Sequence, residues 1–296
     1  MALSIGVIGL GNMGAGMATT LARKGFTVRG FDLSDQARAR LEEKGVSCAS
    51  SAQELMQGTD IIVLSLPKAE HVLSVCLGYD GILHNGKAGL MVIDTTTSTP
   101  EVSRSLAEKL GEKNIGFIDA PVSGGPAGAA AGTMSMVVGA TDEQFATVRP
   151  VLEAMSTTQV HVGTCGAGNV AKIANNMLCA AHLISTAEAL SMAAHAGVDP
   201  QRVLEGINAG SGGSAVSKVS FEKWILNKAY DSGFTMGLMR KDVGLGLSLA
   251  DQLHLDLPLF ASVGHLWQKS LASIPDNEDF TFIVSQTDKA LFSKGS

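Results

Sequence analysis

The stretch Ser4 to Asp32, S-I-G-V-I-G-L-G-N-M-G-A-G-M-A-T-T-L-A-R-K-G-F-T-V-R-G-F-D, decides the fold. An apolar run from Ser4 to Ile8 leads into G-x-G-x-x-G at Gly9, Leu10, Gly11, Asn12, Met13 and Gly14. A helical pattern follows over Ala15 to Lys24, and a second apolar run, Thr27 to Phe31, completes a β-α-β unit. The spacing has a physical logic: the first glycine permits the tight turn, the second lets backbone approach a pyrophosphate, and the third lets the helix pack on its strand. Phosphates placed there meet free N–H groups and the positive end of a helix dipole. Asp32 ends the second strand 18 residues after Gly14, near the ~20 at which an acidic side chain reaches the ribose. A carboxylate at that point accepts from a 2′-OH and repels a 2′-phosphate, which predicts NAD in preference to NADP. Ser34 competes with Asp32 as the cap of the next helix, and Arg29 lies close enough to bear on the preference.

The alternation continues outward. Helical Asp35 to Lys44 is followed by strand-like runs at Ile61 to Leu66, Leu90 to Asp94, Gly116 to Asp119 and Ser135 to Gly139, with helical Pro100 to Leu110 and Asp142 to Met155 between them. Strands separated by helices predict an α/β domain of Rossmann type, a doubly wound parallel sheet with helices on both faces. Beyond Gly168 the strand signal stops, and breakers at Pro200, Gly210 to Gly213, Gly233, Pro258 and Pro275 divide an all-helical remainder. The expected division is therefore 1–163 for a dinucleotide-binding domain and 164–296 for a helical domain serving substrate and oligomerisation, joined by a long helix.

Composition narrows the function. A formal charge of −6 lacks the basic patch that nucleic acid or an anionic membrane surface calls for, so a small-molecule partner is expected. Cys48, Cys76, Cys165 and Cys179 have no metal-ligand or redox-motif spacing and are expected as reduced thiols. No basic leader segment with a cleavage site precedes the first strand, so the expected location is the cytoplasm. The long apolar segment from Val170 to Ala196 carries Lys172, Asn175, Asn176, His182, Glu188 and His195, each costly at bilayer depth, and is expected as a buried helix rather than a membrane span.

Four stretches, in order, carry a resemblance. Ile8 to Ala18 (I-G-L-G-N-M-G-A-G-M-A), Asp119 to Gly125 (D-A-P-V-S-G-G), Gly166 to Asn176 (G-A-G-N-V-A-K-I-A-N-N) and Arg240-Lys241-Asp242 after Gly233-Phe234 together resemble the β-hydroxyacid dehydrogenase family. That family includes 3-hydroxyisobutyrate dehydrogenases, tartronate semialdehyde reductases and L-threonate dehydrogenases. The resemblance implies hydride transfer between NAD and a short 3-hydroxy carboxylic acid, or the corresponding semialdehyde or keto acid. It also implies a Rossmann-type domain, a long helix into a helical domain, an active site in the cleft between them, and a homodimer or homotetramer. By the same resemblance Leu66, Pro67, Thr96 and Lys241 match cofactor contacts.

The residues make chemical sense on their own. Ser123, Gly124 and Gly125 offer one hydroxyl and two unobstructed N–H groups to an anion, as a substrate-carboxylate loop requires. Lys172 lies on an otherwise apolar helix with Asn176 at i+4 and Asn169 at i−3, a polar stripe that needs a reason. The functional reading makes Lys172 the acid/base that takes the hydroxyl proton as hydride leaves, its pKa lowered by burial or by a cationic nicotinamide ring, with Asn176 holding substrate or orienting the ammonium. Bland alternatives are a snorkelling lysine at a helix start, a plain turn at Ser123, a β-branched strand end at Thr96 and an Asp242-paired Lys241. The scattered histidines predict no metal site, and no G-x-S-x-G elbow supports a hydrolase.

One departure stands out. Several relatives carry S-S-G-R-S where this chain has Gly210-Ser211-Gly212-Gly213-Ser214, with Gly213 in place of the arginine. A cation for a distal acidic group is missing unless Lys218 or Lys223 supplies it. Two other readings compete with the dehydrogenase: an NADPH-dependent imine reductase, and a catalytically silent NAD-binding sensor. Lys172 and Asp32 favour the first over the second, and the sensor has no use for a lysine and asparagine facing an anion seat.

Overall fold

The computed structural model describes residues 3–294. The chain divides into two compact units, Met1–Lys172 and Ile173–Ser296. In chain order the first unit contains β1 (Ser4–Ile8), α1 (Asn12–Arg23), β2 (Thr27–Phe31), α2 (Asp35–Glu42), β3 (Ser47–Cys48), α3 (Ala52–Gln57), β4 (Ile61–Leu64), α4 (Ala69–Leu77) and α5 (Ile82–Asn85). It continues through β5 (Met91–Asp94), α6 (Pro100–Gly111), β6 (Gly116–Asp119), β7 (Val122–Ser123), α7 (Gly125–Ala131), β8 (Met134–Gly139), α8 (Asp142–Met155) and β9 (Ser156–Gly163). The long helix α9 (Ala167–His195) follows, and the units part between its residues Lys172 and Ile173.

The sheet runs β3-β2-β1-β4-β5-β6-β8-β7, with β9 on β8. From β3 to β6 every pairing is parallel, as strand–helix alternation dictates. The all-parallel expectation fails beyond β6: β8 pairs antiparallel with both β6 and β7. The chain keeps its direction from β6 through the short β7 and turns back only after Ser123, through α7 into β8, a reversal that apolar runs do not reveal. Strand β9 also escaped the sequence reading. It forms the far edge beside β8 with alternate residues exposed, so its polar S-T-T-Q-V-H-V-G lacks the continuous apolar run of a central strand.

Both faces of the sheet are covered, which the strand periodicity makes visible. Ile61 and Val63 join one core with Met17, Leu21 and Leu152, whereas Ile62 and Leu64 join another with Leu55, Val72 and Leu106. Ile118 and Phe117 part in the same way, because successive side chains of a strand point to opposite faces. Each such residue is almost fully buried and contributes about 1.5–3 kcal/mol by leaving water.

The second unit is helical: the remainder of α9, α10 (Pro200–Ala209), a wide π-helical segment Val216–Ile225, α11 (Met236–Gln252) and α12 (Pro258–Lys269), followed by short 3₁₀ turns. Its core gathers Met177, Leu183, Leu204, Phe221, Met239 and Trp267. Helix α9 is long and apolar enough to cross a membrane by length and composition, but Met177, Ala180, Leu183 and Leu190 bury its apolar side in this core.

Candidate active site

The glycine loop is built for a ligand backbone. Gly9 has φ +92°, and a Cβ there would fall 2.2 Å from the Ser65 carbonyl oxygen. A Cβ on Gly14 would fall 1.8 Å from the Gly9 carbonyl oxygen, so the helix touches the turn only because residue 14 is glycine. Gly11, at the N-cap of α1, has open space where a Cβ would be, no side-chain cap and no acid in the following turn. The α1 N-terminus therefore keeps its positive end for an anion, and these residues fit the pyrophosphate of a dinucleotide.

Asp32 leaves the end of β2 toward this loop: its Oδ2 accepts from Leu10 N–H at 2.7 Å and its Oδ1 from Ser34 N–H at 2.8 Å. The cap of α2 is Ser34, whose Oγ accepts from Ala37 N–H, so Asp32 is not consumed by that helix end. Arg29 pairs with Glu54. Ser50 and Arg29 together pull the Glu54 carboxyl down to about 2. Arg38, which the sequence reading did not single out, donates to the main-chain oxygen of Asp32 and pairs with Asp35. Its position six residues after Asp32, at i+3 from Asp35, was the available signal.

Thr96 is buried at 3% exposure, and its Oγ1 accepts from Leu66 N–H at 3.1 Å. One hydrogen bond thus ties the β4 end, where Leu66 and Pro67 sit, to the β5 end.

Lys172 and Ser123 come together: Lys172 Nζ donates to Ser123 Oγ at 2.9 Å. Lys172 is buried at 9% exposure. Ser123 ends β7, and Gly124 (φ +125°) and Gly125 (φ +62°) follow in conformations that L side chains rarely adopt. Asn169, at i−3 from Lys172 in the expected polar stripe, has its side chain taken up by other partners. It is fully buried, accepting from Ser98 N–H at 2.9 Å and donating to Ser103 Oγ at 3.0 Å. Asp119, at the end of β6, is also fully buried and accepts from Gly166 N–H at 2.6 Å and Asn169 N–H at 2.7 Å. Burial pushes its carboxyl up, against the pull of these N–H groups. It pushes the neighbouring Cys165 thiol up as well.

In the second unit, Asn176 is buried at 5% exposure, and its Nδ2 donates to Asp242 Oδ2 at 2.6 Å. Asp242 is itself 2% exposed, and Lys241 Nζ lies 3.1 Å from its Oδ1. The sequence offered the Lys241–Asp242 pairing as the bland alternative to a cofactor contact, but gave no sign that the same carboxylate holds Asn176, which lies 66 residues away. Near the missing arginine, a Cβ on Gly213 would fall 3.2 Å from Lys218 Cε. The stem of Lys218 thus lies against that glycine.

Comparisons with known proteins accord with this architecture. Residues 4–164 match the family described as the NAD binding domain of 6-phosphogluconate dehydrogenase. Residues 166–286 match the NAD-binding family of NADP-dependent 3-hydroxyisobutyrate dehydrogenase. The chain is 39% identical to a Pseudomonas aeruginosa 3-hydroxyisobutyrate dehydrogenase over 94% of this chain and 95% of that one. It is 36% identical to the NAD-dependent L-serine dehydrogenase of the same organism, over 96% and 97%. Among solved structures, Mycobacterium tuberculosis 3-hydroxyisobutyrate dehydrogenase with L-serine superposes with TM-score 0.88 at 30% identity, covering 97% of this chain and 100% of that one. Matched along nearly its full length by both families and by these relatives, the chain belongs to the β-hydroxyacid dehydrogenase family.

Proposed function

We propose that this NAD-dependent oxidoreductase interconverts a short 3-hydroxy carboxylic acid and its semialdehyde or keto acid, with Lys172 as the general acid/base. The observation that carries the reading is the 2.9 Å hydrogen bond from Lys172 to Ser123. It puts a titratable amine beside a hydroxyl that precedes two glycines with positive φ.

The division of labour follows from donors and acceptors. Ser123 Oγ accepts from Lys172, which leaves the hydroxyl proton to donate to a substrate carboxylate. Gly124 and Gly125 present backbone to the same anion without a Cβ in the way. A neutral Lys172 still donates one N–H to Ser123, and this fixes where its lone pair points. In the oxidative direction that lone pair takes the substrate hydroxyl proton, and in the reductive direction the ammonium returns it. Asn176, one turn further along α9, is assigned to hold substrate, its amide oriented by Asp242. Gly9, Leu10, Gly11, Asn12, Met13, Gly14, Asp32, Leu66, Pro67, Thr96 and Lys241 are assigned to NAD, which when bound supplies the hydride acceptor. Residues 1–163 are assigned to cofactor binding and 164–296 to substrate and assembly.

The same proposal takes the protein as a cytoplasmic homodimer or homotetramer. Cys48, Cys76 and Cys165 are thiols, which suits a reducing compartment. Leu253, Leu255, Leu259 and Leu271 expose apolar surface on the helical unit, which suits assembly through it. Light scattering after gel filtration tests the assembly.

Absorbance at 340 nm over a panel of 3-hydroxy acids and cyclic imines, with NAD and NADP in parallel, tests the activity. Turnover of a 3-hydroxy acid with NAD is expected. Imine reduction alone, or cofactor binding without turnover of any panel member, would sink it.

A further inference from the structure

The acid/base geometry depends on where helix α9 begins, and one buried side chain governs that. Asp119 ends β6 four residues before Ser123. Its two carboxylate oxygens accept from the backbone N–H groups of Gly166 and Asn169, at 2.6 and 2.7 Å. Asn169 lies one helical turn before Lys172, so this carboxylate grips the turn that carries the lysine while its own main chain runs directly into the serine. We propose that Asp119 is a positioning residue for the reaction, setting the Lys172–Ser123 contact by clamping the start of α9 to the strand that leads into the Ser123 loop. The inference rests on the acid/base reading of Lys172 given above.

Three features make this more than a helix cap. The carboxylate cannot swing away: a Cβ on Gly139 would fall 2.3 Å from its Oδ1, and one on Gly168 3.0 Å from its Oδ2. Glycines on both sides let backbone close over it. The same helical turn is held a second time by the Asn169 side chain, through Ser98 N–H and Ser103 Oγ, so the turn has little freedom except through these bonds. The path from Asp119 to Ser123 is also short and contains Pro121, whose φ is set by its ring. Displacement of the helix start is thus transmitted to Lys172, and a misplacement of about 1 Å in a reacting group can cost on the order of 10²-fold in rate.

A carboxylate suits the task better than any neutral isostere. Two N–H donors converge on it, and the positive end of the helix favours negative charge there. Asparagine keeps the size but turns one NH₂ toward an N–H, so it repels the turn it should hold.

The test is a double-mutant cycle of Asp119→Asn with Ser123→Ala, read as kcat and KM for the hydroxy acid. It is accompanied by NAD affinity from protein fluorescence and by amide hydrogen exchange at residues 166–169. Asp119→Asn alone should lower kcat on the order of 10- to 100-fold, leave NAD affinity within about 2-fold, and speed exchange at Gly166 and Asn169 but not in α1. In the Ser123→Ala background, where the contact to be positioned is already gone, the same substitution should cost less than about 3-fold. An equal cost in both backgrounds, or loss of NAD affinity in parallel with activity, would overturn the proposal and leave Asp119 a structural cap. Should Asp119→Asn fail to fold, Asp119→Ser, which is smaller and keeps a single hydroxyl acceptor, enters the same cycle with the same expectation. Lys172→Met run alongside separates the two readings. Retained turnover there removes the acid/base assignment, whereas additivity in an enzyme that needs Lys172 removes only the role of Asp119.

Discussion

Lys172 Nζ lies 2.9 Å from Ser123 Oγ, although 49 residues separate them in sequence. The bond joins the first turns of a long helix to a loop at the end of a short strand, and it gives the lysine a fixed direction on a largely apolar helix. Lys172→Met keeps the length and the packing but has no titratable amine. Turnover should fall about 10²- to 10⁴-fold, with NAD affinity unchanged. In wild type, oxidation should rise with pH as the amine loses its proton, and carbonyl reduction should fall over the same range. Initial rates in both directions across pH check this, and both limbs should be absent from the residual activity of the variant.

Ser123→Ala removes the acceptor for Lys172 and, on the proposed reading, the donor to the substrate carboxylate. KM for the hydroxy acid should rise on the order of 10-fold or more, as loss of a hydrogen bond to a charged group costs about 1.5–3 kcal/mol. The Kd for NAD, followed by fluorescence, should stay the same. Parallel loss of both would make Ser123 a structural residue.

Asp32→Ser should shift preference toward NADP. The carboxylate that would repel a 2′-phosphate is gone, and Arg38, which donates to the Asp32 main-chain oxygen, is near enough to answer the new anion. A change of about 10- to 100-fold in the NAD/NADP ratio of kcat/KM is expected, the size of one charge-assisted hydrogen bond. The double substitution Asp32→Ser with Arg38→Ala should lose most of the gain. A wild-type enzyme that already prefers NADP would remove Asp32 from the ribose.

Asp242→Asn addresses Asn176. The carboxylate accepts from Asn176 Nδ2 at 2.6 Å and pairs with Lys241, so an amide in its place keeps only a neutral acceptor for Asn176 and turns an NH₂ toward the Lys241 ammonium, which weakens the hold on the Asn176 side chain. KM for the hydroxy acid should rise severalfold with a smaller effect on kcat. Asp242→Asn and Asn176→Ala should also be non-additive, as residues in one network are. Independent effects would show that Asp242 serves Lys241 alone.

Asp60 offers a pH test of stability away from the site. Lys87 and the Ser4 N–H hold its carboxyl below the usual carboxylate range. A lowered folded pKa means the ionised form is the stabilised one, so its contribution is present above the unfolded value and is lost as pH falls through the folded one. Asp60→Asn should therefore lower Tm by roughly 1–3 °C at neutral pH, a small effect because the pair is half exposed and screened. The gap between variant and wild type should close in acid. A gap that persists at the lowest pH would point to packing instead of charge.

The sequence by itself determined the β-α-β unit, the parallel half of the sheet and the helical second half, because each rests on periodicity or on glycine spacing within about 30 residues. Gly9 and Gly14 could be read for the same reason: a positive φ and a touching backbone are local demands. Lys172 and Ser123 could be singled out by residue type and resemblance, but their meeting could not. It requires β6, β7 and the start of α9 to converge, and no local pattern encodes that. Tertiary structure alone decided that Asn169 faces Ser98 and Ser103 instead of sharing a stripe with Lys172, that Asp119 holds the helix start, and that Asp242 orients Asn176. The reversal at β8 and the edge strand β9 belong with these. All are pairings of polar groups or strand edges far apart in the chain. Their energy comes from satisfying buried donors and acceptors, and a hydrophobic pattern, which reports only which face is dry, carries no record of which partner each of them finds.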